Sequence, residues 1–172
     1  MAAEPRIDGF LGGRLRIAQP AGGYRAGADA VMLAAACPAE AGQSVLELGC
    51  GAGVALLCLG ARVPGLDLTG LELQEPYAAL ARDNAAANGI AASVLTGDLA
   101  RMPGPLRGQG FDHVIANPPY FDAGTPAPDA GRGAARRLLE GASGGAAVQR
   151  LLGMAVRHVG PDLGHEFLRI PQ

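Results

Sequence analysis

SVLELGCGAG, Ser44 to Gly53, passes without a break from an apolar run into a stretch with glycine at every second position. The five residues Ser44 to Leu48 suit a short buried strand. Gly49, Gly51 and Gly53 then form a turn without Cβ atoms, against which a ligand can lie closely. The following VALLCLGARV reads as a helix that Pro64 and Gly65 stop, so the loop sits at a helix N-terminus. A strand, glycine loop and helix in succession form the seed of an α/β fold.

The pattern repeats downstream. DLTGLEL (67–73) predicts a second strand, and EPYAALARDNAAANG (75–89) a helix with Asn88 and Gly89 as its stop. ASVLTGD (92–98) predicts a third strand and FDHVIAN (111–117) a fourth, whose apolar side chains arrive as a block. Strands alternating with helices imply a Rossmann-like, doubly wound, mostly parallel sheet. Upstream, residues 1–43 form an arm with one or two short strands around turns at Gly12-Gly13 and Gly22-Gly23. A helix follows in ADAVMLAAACP, with Asp29 as its cap and Val31, Leu33, Ala34 and Ala35 suited to burial. Residues 121–145 are rich in Gly, Ala and Pro and predict a flexible loop carrying Arg132, Arg136 and Arg137. Residues 146–172 leave room for one helix and a short strand, HEFLRI. The reading is one domain, with its core at 44–120.

At 172 residues, 49% hydrophobic and 17% charged, the chain suits a single globular domain with a real core. The formal net charge of −2 offers no global attraction to nucleic acid, so an RNA partner needs a local basic patch. All basic residues are Arg, which fits a compositional bias better than a functional design. Cys37, Cys50 and Cys58 form no CxxC pair and favour reduced thiols in the cytoplasm over a disulfide framework or a metal site. No apolar run is long enough to span a bilayer.

Ligands of such sheets sit beyond the carboxyl ends of the strands, where the glycine loop, Glu72, Asp98 and VIANPPYFD (114–122) all fall. A nicotinamide fingerprint needs a third glycine where Val54 and Leu56 stand, so that reading misses. Glu72 follows Gly51 at an interval suited to accepting hydrogen bonds from both hydroxyls of a ribose. Asp98 can accept from an adenine amino group, or simply form a turn. In NPPY, Asn117 is pushed into an extended conformation, and Pro118 and Pro119 freeze the next two φ angles. The Asn117 amide and the Pro118 carbonyl become two fixed acceptors for the hydrogens of an NH₂ group, and Tyr120 supplies a ring for a planar substrate. Acceptors that draw those hydrogens toward tetrahedral geometry free the nitrogen lone pair for attack.

The order ELGCGAG, Glu72, Asp98, NPPY resembles the class I S-adenosylmethionine-dependent methyltransferases of the amino-methylating N/D-P-P-Y/F type, across about residues 44 to 120. The upstream FLGGRLRIAQPAGGYRAGADAVMLAA is similar to the bacterial enzymes that make N6-methyladenosine next to the anticodon of a valine tRNA. The resemblance implies that Tyr24 and Arg25 border the cofactor pocket, that Gly49, Gly51 and Gly53 wrap its methionine part, and that Glu47 buttresses the loop. Glu72 would bind its ribose and Asp98 its adenine. Asn117, Pro118, Pro119 and Tyr120 would hold the target base, which must leave any stack to react. The implied partner is tRNA, met by the Arg132, Arg136 and Arg137 cluster, with no metal and no membrane. NPPY can grip any planar NH₂, so a glutamine of a peptide release factor is a second substrate class, and a chain that binds cofactor without catalysing is a third reading. The family pattern continues through three more strands after Tyr120. At most one fits here, which predicts an exposed sheet edge and weak stability.

Overall fold

The computed structural model describes residues 4–117. Two short strands, β1 (Arg6–Phe10) and β2 (Leu15–Gln19), form an antiparallel hairpin turned at Gly12 and Gly13. Helix α1 (Ala28–Ala36) leads into strand β3 (Ser44–Leu48), and helix α2 (Val54–Arg62) into β4 (Asp67–Glu72). Helix α3 (Glu75–Ala87), β5 (Ala92–Thr96), two 3₁₀ turns and β6 (His113–Ala116) complete the described chain.

The main sheet has the order β5-β4-β3-β6, every pair parallel. From β3 the chain winds outward through β4 to β5 and then returns to the other side of β3 as β6. The winding reverses between β3 and β6, and the crevice opens beyond their carboxyl ends. The doubly wound expectation is thus met strand by strand, and the ends of β4, β5 and β6 fall one or two residues short of their sequence limits. Asn88 stands at the C-cap of α3 and Gly89 beyond it takes a left-handed φ of +63°, the stop expected from this pair.

Six consecutive residues of α2, Val54 to Leu59, are buried. A helix buried all round must be apolar all round, and VALLCL is. Each of its leucines contributes about 1.5–3 kcal/mol through burial. On one face of the sheet α2 packs with Ile17, Val45, Leu68 and Ile115; on the other, Leu46, Leu48 and Leu71 meet Met102, Leu106 and Phe111. Cys37, Cys50 and Cys58 are free and buried.

Two expectations for α1 are corrected. Its N-cap is Gly27, and Asp29 lies in the first turn with its Oδ1 reaching back to the Gly27 N–H. Ala30 and Ala34 are the buried residues, while Ala35 is exposed, because the face toward α2 is narrower than an Ala-rich sequence suggests.

The N-terminal arm is docked rather than loose. On the edge of β2 away from β1, Asn84 Oδ1 accepts the Ala18 N–H at 2.8 Å and its Nδ2 donates to the Ala18 carbonyl at 2.9 Å. Asn88 does the same for Arg16, at 3.0 and 2.9 Å. Asn84 Nδ2 also donates to the Ala52 carbonyl at 2.9 Å, tying the hairpin, α3 and the glycine loop together through one side chain.

Candidate functional site

The glycine loop closes by two contacts: Gly49 N–H donates to the Leu71 carbonyl at 2.8 Å, and Gly53 N–H to the Cys50 carbonyl at 2.8 Å. Gly49, Gly51 and Gly53 all take left-handed φ values, +69°, +56° and +84°, which side chains resist. Their surroundings differ. A Cβ at Gly49 or Gly51 would meet nothing within 4 Å, whereas at Gly53 it would lie 3.3 Å from the Ala81 Cβ. Gly49 and Gly51 therefore leave open space beside the backbone, and Gly53 permits α2 and α3 to approach.

The loop forms one wall of a shallow cleft, partly open to solvent, whose lining includes Tyr24, Glu47, Gly49, Gly51, Tyr77 and Asn117. Among the sequence-predicted residues, Tyr24, Glu47, Gly49, Gly51 and Asn117 are brought together here. Gly53, Arg25, Glu72 and Asp98 are not among the lining residues. Arg25 instead pairs with Asp8 of β1 at 2.6 Å. Asp98 opens the 3₁₀ turn Leu99–Arg101, its carbonyl accepting the Arg101 N–H at 2.9 Å. Pro118, Pro119, Tyr120 and the Arg132, Arg136 and Arg137 cluster lie outside the described residues.

Two acidic side chains hold the loop from beneath. Glu47 is 3% exposed, and its Oε2 accepts the Leu56 N–H at 2.8 Å, satisfying a donor in the first turn of α2 that has no partner within the helix. Burial pushes the Glu47 carboxyl up to about 8, and the Leu56 N–H opposes the shift while Glu72 adds to it. Glu72 accepts the Gly51 N–H on Oε2 at 2.9 Å and the Gln74 N–H on Oε1 at 2.8 Å. Each oxygen retains a second acceptor position.

The opposite wall is the segment between β2 and α1. Buried Gln19 treats Ala26 as a strand would, accepting its N–H at 2.8 Å and donating to its carbonyl at 3.1 Å. The Tyr77 hydroxyl brackets Tyr24 in the same manner, 3.2 Å from its N–H and 3.3 Å from its carbonyl. Beyond β6, Asn117 Nδ2 donates to Asp29 Oδ2 at 2.6 Å, and the Tyr24 hydroxyl approaches the same oxygen at 3.4 Å. Asp29 Oδ1 accepts the Gly27 N–H at 2.9 Å. Burial opposes ionisation of Asp29, but the bonds from Asn117 and the backbone outweigh it and hold its carboxyl below the usual range.

Sequence reasoning missed Gln19, Tyr77, Asn84 and the link from Asp29 to Asn117. Gln19 ends β2, and Tyr77 and Asn84 lie in α3, elements that also carry charged residues, so no local pattern sets these three apart as connectors. Asp29 stands near a helix start, where capping is the ordinary role. Among the described residues no group of three or more His, Cys, Asp or Glu is placed to hold a metal ion, and no helix is long and apolar enough to cross a membrane.

The family model "Methyltransferase small domain" matches residues 26–144. A tRNA1(Val) (adenine(37)-N6)-methyltransferase of Shewanella sp. (strain MR-7) is 35% identical over 111 residues, covering 63% of this chain and 47% of that relative. A protein of the same name from Aeromonas hydrophila is 29% identical over 167 residues, 96% of this chain and 67% of its own length. The crystal structure of TrmN from Thermus thermophilus is similar at 28% identity with a TM-score of 0.47, covering 52% of this chain and 27% of that one. The chain spans about half the length of the curated relatives first matched.

Proposed function

Since the chain belongs to the methyltransferase small domain family, we propose that it is an S-adenosylmethionine-dependent methyltransferase of exocyclic amino groups, with N6 of an adenine beside a tRNA anticodon as its target. One observation carries the reading: Asn117, from the end of β6, faces a cleft whose other wall is the open glycine loop after β3. The residues present fit such a cofactor, because Gly49 and Gly51 leave space where any side chain would stand. S-adenosylmethionine supplies a methyl group activated on a sulfonium.

The chain's own residues do the rest. Glu72 holds the loop and keeps acceptor positions for a ribose; Tyr24 and Tyr77 line the cleft, their hydroxyls engaged with Asp29 and with the Tyr24 backbone. The Asn117 amide oxygen accepts one hydrogen of the substrate NH₂, and the Pro118 carbonyl is the second acceptor. Together they favour the tetrahedral nitrogen whose lone pair attacks. Pro119 stiffens this corner, Tyr120 stacks on the base, and Asp98 recognises the adenine of the cofactor. Residues 44–120 are the catalytic core of a single domain, and Arg132, Arg136 and Arg137 contact tRNA phosphates.

The tRNA target is supported by relatives that carry that name, and by the FLGGRLRIAQPAGGYR segment. Incubation with methyl-labelled cofactor and either unmodified tRNA or a peptide release factor tests it. Label in tRNA is expected, and its loss in Asn117→Ala with cofactor binding retained. Label in the release factor alone would overturn the tRNA assignment, and equal inactivity of wild type and variant would overturn the catalytic one.

A further inference from the structure

The residue that fixes Asn117 lies 88 positions upstream of it. An amide side chain presents two nearly isosteric edges, an oxygen that accepts and an NH₂ that donates, and rotation about its last torsion exchanges them. For gripping a substrate amino group only the oxygen edge serves. Nothing in Asn117 itself decides which edge faces the cleft.

Asp29 decides it. Ionised, its carboxylate only accepts, so the amide edge turned toward it must be NH₂, and the contact is 2.6 Å. The amide oxygen is left as the other edge, on a residue that lines the cleft. Asp29 is itself held by the Gly27 N–H on Oδ1 and by the approach of the Tyr24 hydroxyl on Oδ2. We propose that Asp29 is a positioning residue that sets the orientation of the Asn117 amide and so presents its oxygen to the substrate NH₂, an inference that rests on the amino-group methylation proposed above.

A purely structural role for Asp29 in the first turn of α1 predicts a different response to Asp29→Asn. That variant keeps the shape and can still accept the Gly27 N–H through its amide oxygen. Its NH₂ then faces the NH₂ of Asn117 and drives Asn117 to turn over, exposing the wrong edge. The double variant Asp29→Asn/Asn117→Asp exchanges the roles: the new amide donates and the new carboxylate keeps an oxygen toward the cleft.

The experiment measures kcat on an unmodified valine tRNA transcript, Kd for S-adenosylmethionine, and the side-chain amide resonances of Asn117, identified by their loss in Asn117→Ala. For Asp29→Asn, a fall in kcat of about 10²-fold is expected, the loss typical of one misdirected donor or acceptor at a developing charge, with Kd unchanged. The double variant should recover most of that loss, and the Asn117 resonances should move in Asp29→Asn. A kcat for Asp29→Asn equal to wild type, or unmoved Asn117 resonances, would overturn the proposal. If wild type transfers no methyl group to tRNA, the functional reading fails, and the resonance measurement alone still decides whether Asp29 orients Asn117.

Discussion

Asn84→Ala should be the most damaging small truncation on α3, although it removes no apolar contact of note. Asn84 is 2% exposed and makes three bonds across the molecule, one as acceptor and two as donor. Truncation leaves the Ala52 carbonyl without its side-chain partner in a buried place, costing about 1–3 kcal/mol. The Ala18 N–H and carbonyl are part-buried, so water recovers some of their loss, and about 0.5–1 kcal/mol each is a fair charge. The total is about 3 kcal/mol, which for a chain of this size lowers the melting temperature by about 6–12 °C. Asn88→Ala is the milder control: its bonds to Arg16 are solvent-exposed and its further bond to the Asn84 carbonyl is only part-buried, so water recovers most of the loss and about 1 kcal/mol remains. Thermal melts by circular dichroism at neutral pH, with cofactor affinity by calorimetry, read both. Equal melting temperatures for Asn84→Ala and Asn88→Ala would refute the view that Asn84 is the buried tie between the hairpin, α3 and the glycine loop.

Glu47 gives stability a distinctive pH dependence. Its carboxyl titrates near 8 in the folded chain against an ordinary 4.5, so the native state binds the extra proton, and stability falls as pH rises through that interval. Urea unfolding at pH 5 and pH 8 should show the loss in wild type and a flatter response in Glu47→Gln; parallel responses would count against it. Gly51→Ala and Gly53→Ala should fail differently, because both strain a left-handed turn by about 1–2 kcal/mol but only Gly53→Ala also presses on Ala81. Calorimetry with S-adenosylmethionine should find weakened binding as the main defect of Gly51→Ala, and melting should find instability as that of Gly53→Ala. The three thiols are buried, and burial pushes Cys58 to about 11 and Cys50 well above its ordinary value. Iodoacetamide at neutral pH should therefore label them only on unfolding, with rapid native labelling as the contrary result seen by mass spectrometry.

The strands of the main sheet were legible because they are short, largely apolar stretches between turn residues, whereas β1, RIDGF and mostly exposed, carries no such signal. Ser44 to Gly53 was legible for a further reason: alternating glycines after a strand require φ values that other residues avoid. The side chains that assemble the cleft were not. Gln19, Asn84 and Asp29 act on residues between 7 and 88 positions away, and no local periodicity encodes a partner at that range. Gly53 shows the same limit within the legible motif. Its spacing marks a loop glycine, but whether the missing Cβ makes room for a ligand or for Ala81 depends on where α3 lands.

The docking of the hairpin has a geometric explanation in the spacing of its two asparagines. Residues four apart on a helix are about 6 Å apart along its axis, and alternate residues on a strand are about 6.6–6.8 Å apart. Asn84 and Asn88 on α3 therefore match Ala18 and Arg16 on β2, running in the opposite direction. Each amide offers a donor and an acceptor on one edge, matching the N–H and C=O that a strand residue presents on one side, so α3 serves β2 as a third strand would. The edge of a two-stranded ribbon is a place where another chain can add, and here two side chains cover it. The same device recurs where Gln19 brackets Ala26. Tyr24 lies two residues before Ala26, and Asp29 three after, so an arm of alternating glycines and short strands is held firmly enough to set Asn117 against the glycine loop.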